Sequence, residues 1–161
     1  MASYNLPDDQ KVLAAIGTIA IRHGQLDNAL KMAVKSLASV SWAEALDATA
    51  MSTGRDLRDR IHKLAKQRFG EGPALVKLDA LLDRARKASE RRNEILHSFW
   101  GTEKDTPVIR DANHNYKKAP TLKELKSLSD ELYDIRAGVT DARLSGFLCD
   151  ALKKSSPAKP K

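Results

Sequence analysis

Cysteine is nearly missing from this chain. Cys149 stands alone, which excludes an internal disulfide framework and favours a reducing compartment. Aromatic residues are almost as scarce at 5%. With Ala, Leu, Lys, Arg, Asp and Glu dominant, that favours helices over a sandwich or barrel, and it argues against sequence-specific recognition of single strands by base stacking. No apolar run approaches the ~18 residues of a membrane span. The opening MASYNLPDDQK has neither the basic head nor the apolar stretch of a secretory leader. A cytoplasmic protein with no membrane partner is the expectation. Walker loops, Gly-x-Gly-x-x-Gly and Gly-x-Ser-x-Gly are absent. His23, His62, His97 and His114 are scattered and give no metal-ligand spacing, so neither metal nor cofactor is expected. His23 and Asp27, four apart, suit a hydrogen-bonded core pair better than a metal site.

What remains is rich in helix formers. With 42% hydrophobic and 30% charged residues the chain suits a globular domain. Net charge is +7, which suggests polyanionic partners. The segment KKSSPAKPK carries four of those lysines and no acid, and removing them leaves +3 for residues 1–152. Residues 153–161 are expected to be a disordered basic tail, and residues 1–152 one helical domain.

Apolar spacing predicts the elements. Val12, Ile16, Ile19, His23, Leu26, Leu30, Ala33 and Leu37 make a seam at alternating intervals of four and three, for a helix over about 8–38. SWAE (Ser41–Glu44) has capping-box form and opens a short helix. A third helix begins near Arg55, and GEGP at 70–73 stops it and starts a fourth, predicted over 73–100. Val108, Ile109 and Tyr116 flank an Ala-Asn-His-Asn turn, which suggests a short hairpin. A second capping box, Thr121–Glu124, opens the final helix. The fold class expected is all-α: an up-and-down bundle of four to five helices, with a short hairpin or irregular loop before the last.

One residue does not fit its seam. Leu78, Leu81, Ala85, Ala88, Ile95, Leu96 and Phe99 line the fourth helix and leave a vacancy that Arg92 fills. A guanidinium aimed at a core is costly unless paired, and Asp27 on the flank of the first seam is the expected partner. His97 lies about 140° around the helix from Arg92, on the face of Asn93 four residues before it. From spacing alone this is a structural Arg–Asp pair with an exposed Asn and a surface His.

The stretch RNEILHSFWG, an Arg-Asn-x-x-x-His followed by aromatics, resembles the signature of the HEPN superfamily. IGTIAIRHGQLDNALKMAVKSLA is similar to the family's first helix, with Leu26-Asp27 matching its acid after a Leu. Helix order fits as well, so the resemblance covers roughly residues 10–150. It implies a metal-independent endoribonuclease, a toxin or defence effector whose site is completed across a two-fold homodimer, with an antitoxin protein as a further partner. His97 would be the general acid/base, Arg92 the phosphate stabiliser and Asn93 an orienting partner, with Asp27 in support. RNA supplies its own nucleophile, the 2′-hydroxyl, and His is the side chain suited to activate it near neutrality. Cleavage would leave a 2′,3′-cyclic phosphate and a 5′-hydroxyl. Arg58, Lys63, Arg86 and Arg91 are the candidates for an RNA-binding basic surface. The alternative is a noncatalytic HEPN-like binding or dimerisation module in which Arg92 is a buried structural ion pair.

Overall fold

Three helices start with a reciprocal capping box, in which a short side chain folds back onto its own backbone. Glu44 N–H donates to Ser41 Oγ at 3.3 Å while Ser41 N–H donates to Glu44 Oε2 at 2.8 Å. Thr121 and Glu124 do the same at 3.2 and 2.7 Å. Both are the expected capping boxes. A third, Thr53 with Asp56 at 3.2 and 2.8 Å, uses the shorter acid. Each box satisfies two backbone donors that the first helical turn leaves over.

The computed structural model describes residues 3–111 and 113–155, residues 3 and 4 through their backbone alone. In chain order they form β1 (Ser3–Tyr4), α1 (Gln10–Ala38), α2 (Trp42–Thr49), α3 (Gly54–Phe69), α4 (Pro73–His97), β2 (Phe99–Glu103), β3 (Thr106–Arg110), β4 (Tyr116–Lys118), α5 (Leu122–Leu144) and α6 (Phe147–Ser155). The strands form one antiparallel sheet in the order β1-β2-β3-β4. The protein is therefore mostly helical but not all-α.

Two compact units divide the chain: residues 1–24 with 87–133, and residues 25–86 with 134–161. The first unit holds the sheet. Its core joins Ile19 and His23 of α1, Ala88 and Ile95 of α4, Ile109 of β3, and Leu125, Leu128 and Leu132 of α5, while Val108 is buried on the other face of the sheet. The second is helical, with Leu26, Leu30, Leu57, Ile61, Leu78, Ile135 and Leu148 at its centre. Burial follows the expected α1 seam from Ile19 to Leu37, while Val12 and Ile16 are half-buried.

The hairpin expected around Val108, Ile109 and Tyr116 is present as β3–β4, with Val108 opposite Lys118 and Arg110 opposite Tyr116. Asp111 Oδ1 holds its loop by accepting from the backbone N–H groups of Asn113 and Asn115. The β2–β3 hairpin was not expected. Its turn residues Lys104 and Asp105 both have positive φ, 47° and 63°, as the tight primed hairpin turn requires. The fourth helix accordingly ends at His97 and not Trp100. Phe99, expected in the apolar seam, lies on β2 and is 55% exposed.

Gly146 separates α5 from a short α6 that was also not foreseen. Lys153 and Lys154, placed in a disordered tail, are helical in α6; residues 156–161 lie outside the described residues. Among the described residues no helix is long and apolar enough to cross a membrane.

Candidate functional site

The last two turns of α4 carry the Arg-Asn-x-x-x-His stretch. Leu75, Leu78, Leu82, Ala85, Ala88 and Ile95 are buried along this helix, and the spacing that joins Ala88 to Ile95 passes through position 92. Arg92 is accordingly half-buried. Its Nη1 donates to Asn93 Oδ1 at 2.9 Å, while its Nε is shielded from solvent with no hydrogen-bond partner. Within its own unit, among the described residues, no carboxylate pairs with it.

Asp27, the expected partner, is placed in the other unit, where its Oδ1 lies at the start of α3. A Cβ placed on Gly54 would meet both Asp27 Oδ1, at 3.5 Å, and Arg58 Nη1, at 3.3 Å. Arg92 is satisfied in part by a neutral amide.

Asn93 and His97 are both exposed. Four residues apart on one continuous helix, they share a face. The Arg92 side chain crosses toward that face to reach Asn93, so the amide links a guanidinium to the imidazole side of the helix. The helix stops immediately afterwards, with Ser98 N–H donating to Glu94 O at 3.2 Å. Trp100 Nε1 then donates to Ile95 O at 2.9 Å, and Lys117 of β4 pairs with Glu94. These two contacts fix the sheet against the motif-bearing end of α4.

The proposed basic surface is broken by acids. Arg58 and Arg86 line a cleft of about 210 Å³ together with Asp59, Asp79 and Asp83, and Arg86 is bonded to Asp83 at 2.8 Å. Lys63 is exposed on α3. Arg91 is exposed in the other unit, close enough to contribute to holding the Glu124 carboxyl below its ordinary value. The Thr121 backbone and side-chain hydrogen bonds are the larger causes.

That cleft also holds a pair that spacing did not single out: His62 Nδ1 lies 2.7 Å from Asp79 Oδ1. The available signal was symmetry, because the two stand nine residues before and eight after Glu71 in the connection between α3 and α4. Residues equidistant from a short connection meet when the helices run antiparallel. His23, buried in α1, lies 3.1 Å from Ser89 Oγ through Nε2. Among the described residues no three His, Cys, Asp or Glu side chains gather as a metal site would need.

Comparison with protein-family models, with curated proteins and with solved structures returns no match.

Proposed function

We propose that the protein is a HEPN-like endoribonuclease that works without a metal ion, with Arg92, Asn93 and His97 as its machinery. The observation that carries this reading is the state of Arg92: half-buried, held at Nη1 by Asn93 and short of a partner at Nε. A guanidinium whose only role was structural would be expected to carry a carboxylate. One held by a neutral amide keeps its charge for an incoming anion, and its planar fork matches a phosphate.

The chemistry follows from the residue types. An imidazole of His97 takes the proton of a ribose 2′-hydroxyl, and the oxygen attacks the adjacent phosphorus. The O2′–P bond forms, the P–O5′ bond breaks, and the departing 5′-oxygen receives a proton from an imidazolium. The products are a 2′,3′-cyclic phosphate and a 5′-hydroxyl, with no net gain or loss of atoms. Arg92 stabilises the charge that builds on the phosphate oxygens, and Asn93 orients the guanidinium. A two-fold homodimer would bring both copies of the trio to one groove. A toxin or defence role, with an antitoxin partner, rests on the family resemblance alone.

The test is a substrate that lacks the nucleophile. Purified protein should cut an oligoribonucleotide, and a 2′-O-methyl group at the scissile nucleotide should abolish cutting at that bond alone. Cutting that persists there, or equal cutting of DNA of the same sequence, would refute the mechanism.

A further inference from the structure

Scarce as the aromatics are, the sheet gathers two of them beside the motif. Phe99 is directly opposite Arg110, and Arg110 is directly opposite Tyr116. Directly paired residues project from the same face of a sheet, and residues one step along project from the other. The neighbouring row, Trp100–Ile109–Lys117, is the one tied to α4 through Ile95 and Glu94. The Phe99–Arg110–Tyr116 row therefore points away from that contact. Its rings are open to solvent, Phe99 at 55% and Tyr116 at 48%. The Arg110 guanidinium lies 5.0 Å from the centre of the Phe99 ring.

We propose that this row is a stacking platform for unpaired nucleotides of the RNA substrate, which makes the substrate of the proposed ribonuclease single-stranded at the cut. The proposal rests on that reading for the identity of the polymer. Its position supports it: Phe99 is two residues from His97, so their Cα atoms are at most ~7.6 Å apart. A base stacked there holds its neighbouring phosphate close to the imidazole.

Charge supports it as well. Lys118, two residues beyond Tyr116 and opposite the buried Val108, shares this face and is exposed, and with Arg110 it puts two cations beside the rings. The acid of the same face, Glu103, is at the far end of β2 by the turn. Aromatic rings with cations between them bind single strands with little sequence preference, because every base offers a π-face. A duplex keeps its bases stacked on one another and offers the row only backbone.

Fluorescence anisotropy with a 2′-O-methyl twelve-mer, which cannot be cut, separates binding from chemistry. The single strand should bind more tightly than its duplex. Phe99→Ala and Tyr116→Ala should each weaken single-strand binding about ten-fold, the equivalent of one lost stack, and leave duplex binding within about two-fold. Phe99→Tyr and Tyr116→Phe should keep wild-type affinity. Equal losses on strand and duplex, or no loss on either, overturn the proposal. So does a change in dimer dissociation with unchanged RNA affinity, which would make the row a contact between copies.

Should the alanine variants not fold, wild-type protein irradiated with a 5-iodouridine strand answers the same question. Crosslinks at Phe99 or Tyr116 support the platform, and crosslinks confined elsewhere overturn it. Ring-dependent binding without any cleavage would preserve the platform and remove the ribonuclease. His97-dependent cleavage with ring-independent binding would do the reverse.

Discussion

Replacing Arg92 with methionine separates a functional arginine from a structural one. Met fills a similar slot with an unbranched apolar chain and no charge. In the wild type the shielded Nε lacks a partner, a defect that costs on the order of 1–3 kcal/mol. The variant removes that cost and loses the hydrogen bond to Asn93, worth about 0.5–1.5 kcal/mol. Asn93 is exposed, so water replaces its partner. The net expectation is a gain of about 1 kcal/mol, or a Tm higher by roughly 2–4 °C for a chain of this length. Urea unfolding followed by tryptophan fluorescence should show a higher midpoint at unchanged slope. RNA cleavage should be lost in the same, more stable protein. A loss of about 3 kcal/mol or more would mean that the substitution had stranded a buried carboxylate. Arg92 would then be half of an ion pair, with Asp27 the first suspect, and the functional reading of the arginine would fall.

Three further outcomes are expected, two from the fold and one from the proposed composite site. The capping acids Glu44, Asp56 and Glu124 are all held below their ordinary carboxyl values by hydrogen bonds with their cap residues. Their contribution is complete above the unfolded carboxylate range, near pH 4–4.5, and is lost as pH falls through the lowered folded values. Thermal melts from pH 5 down to 3 should therefore show a falling Tm, and Glu124→Gln should make that slope shallower; an unchanged slope would contradict the linkage. Replacing the turn Lys104-Asp105, both at positive φ, with Asn-Gly suits this turn type and should raise Tm by roughly 2–4 °C, taking the strain relieved as about 1 kcal/mol; a fall in Tm would mean that the two side chains stabilise the hairpin in some other way. Light scattering at tens of micromolar, roughly the range of a weak dimer, should give twice the monomer mass, and a monomer would deny the composite site its second half.

The parts of the fold legible in the sequence are those governed by one period and one cap. The α1 seam from Ile19 to Leu37 follows the apolar spacing, and the Ser41 and Thr121 boxes form as their residue types require. The Thr53 box has no such signature, because Asp replaces the usual Glu or Gln at its third position. The end of α4 is hidden from periodicity, because Phe99 falls four residues after Ile95, a helical interval that continues the pattern into a strand. The β2–β3 turn carries Lys-Asp in place of Asn-Gly, and without that signature the hairpin had no local marker. At the candidate site, spacing placed Arg92 on the buried side and set Asn93 and His97 on one face. It did not reveal the hydrogen bond from Arg92 to Asn93, because adjacent residues on a helix point to different faces and only a long side chain curling back can join them. Nor could it assemble Phe99, Arg110 and Tyr116, whose proximity depends on strand register across two turns.

In the proposed mechanism His97 moves protons in RNA cleavage with no metal involved. The decisive measurement is the single-turnover rate of cutting in EDTA, compared between wild type and His97→Ala. His97 is exposed at the end of α4, so the substitution should leave Tm within about 2 °C, the span of a surface change of up to ~0.5 kcal/mol. Wild type should cut at the same rate with and without EDTA, and the variant should be slower by about two to four orders of magnitude. Undiminished cutting by His97→Ala, or a folded wild type that cuts no RNA across varied substrates and pH, would contradict the account.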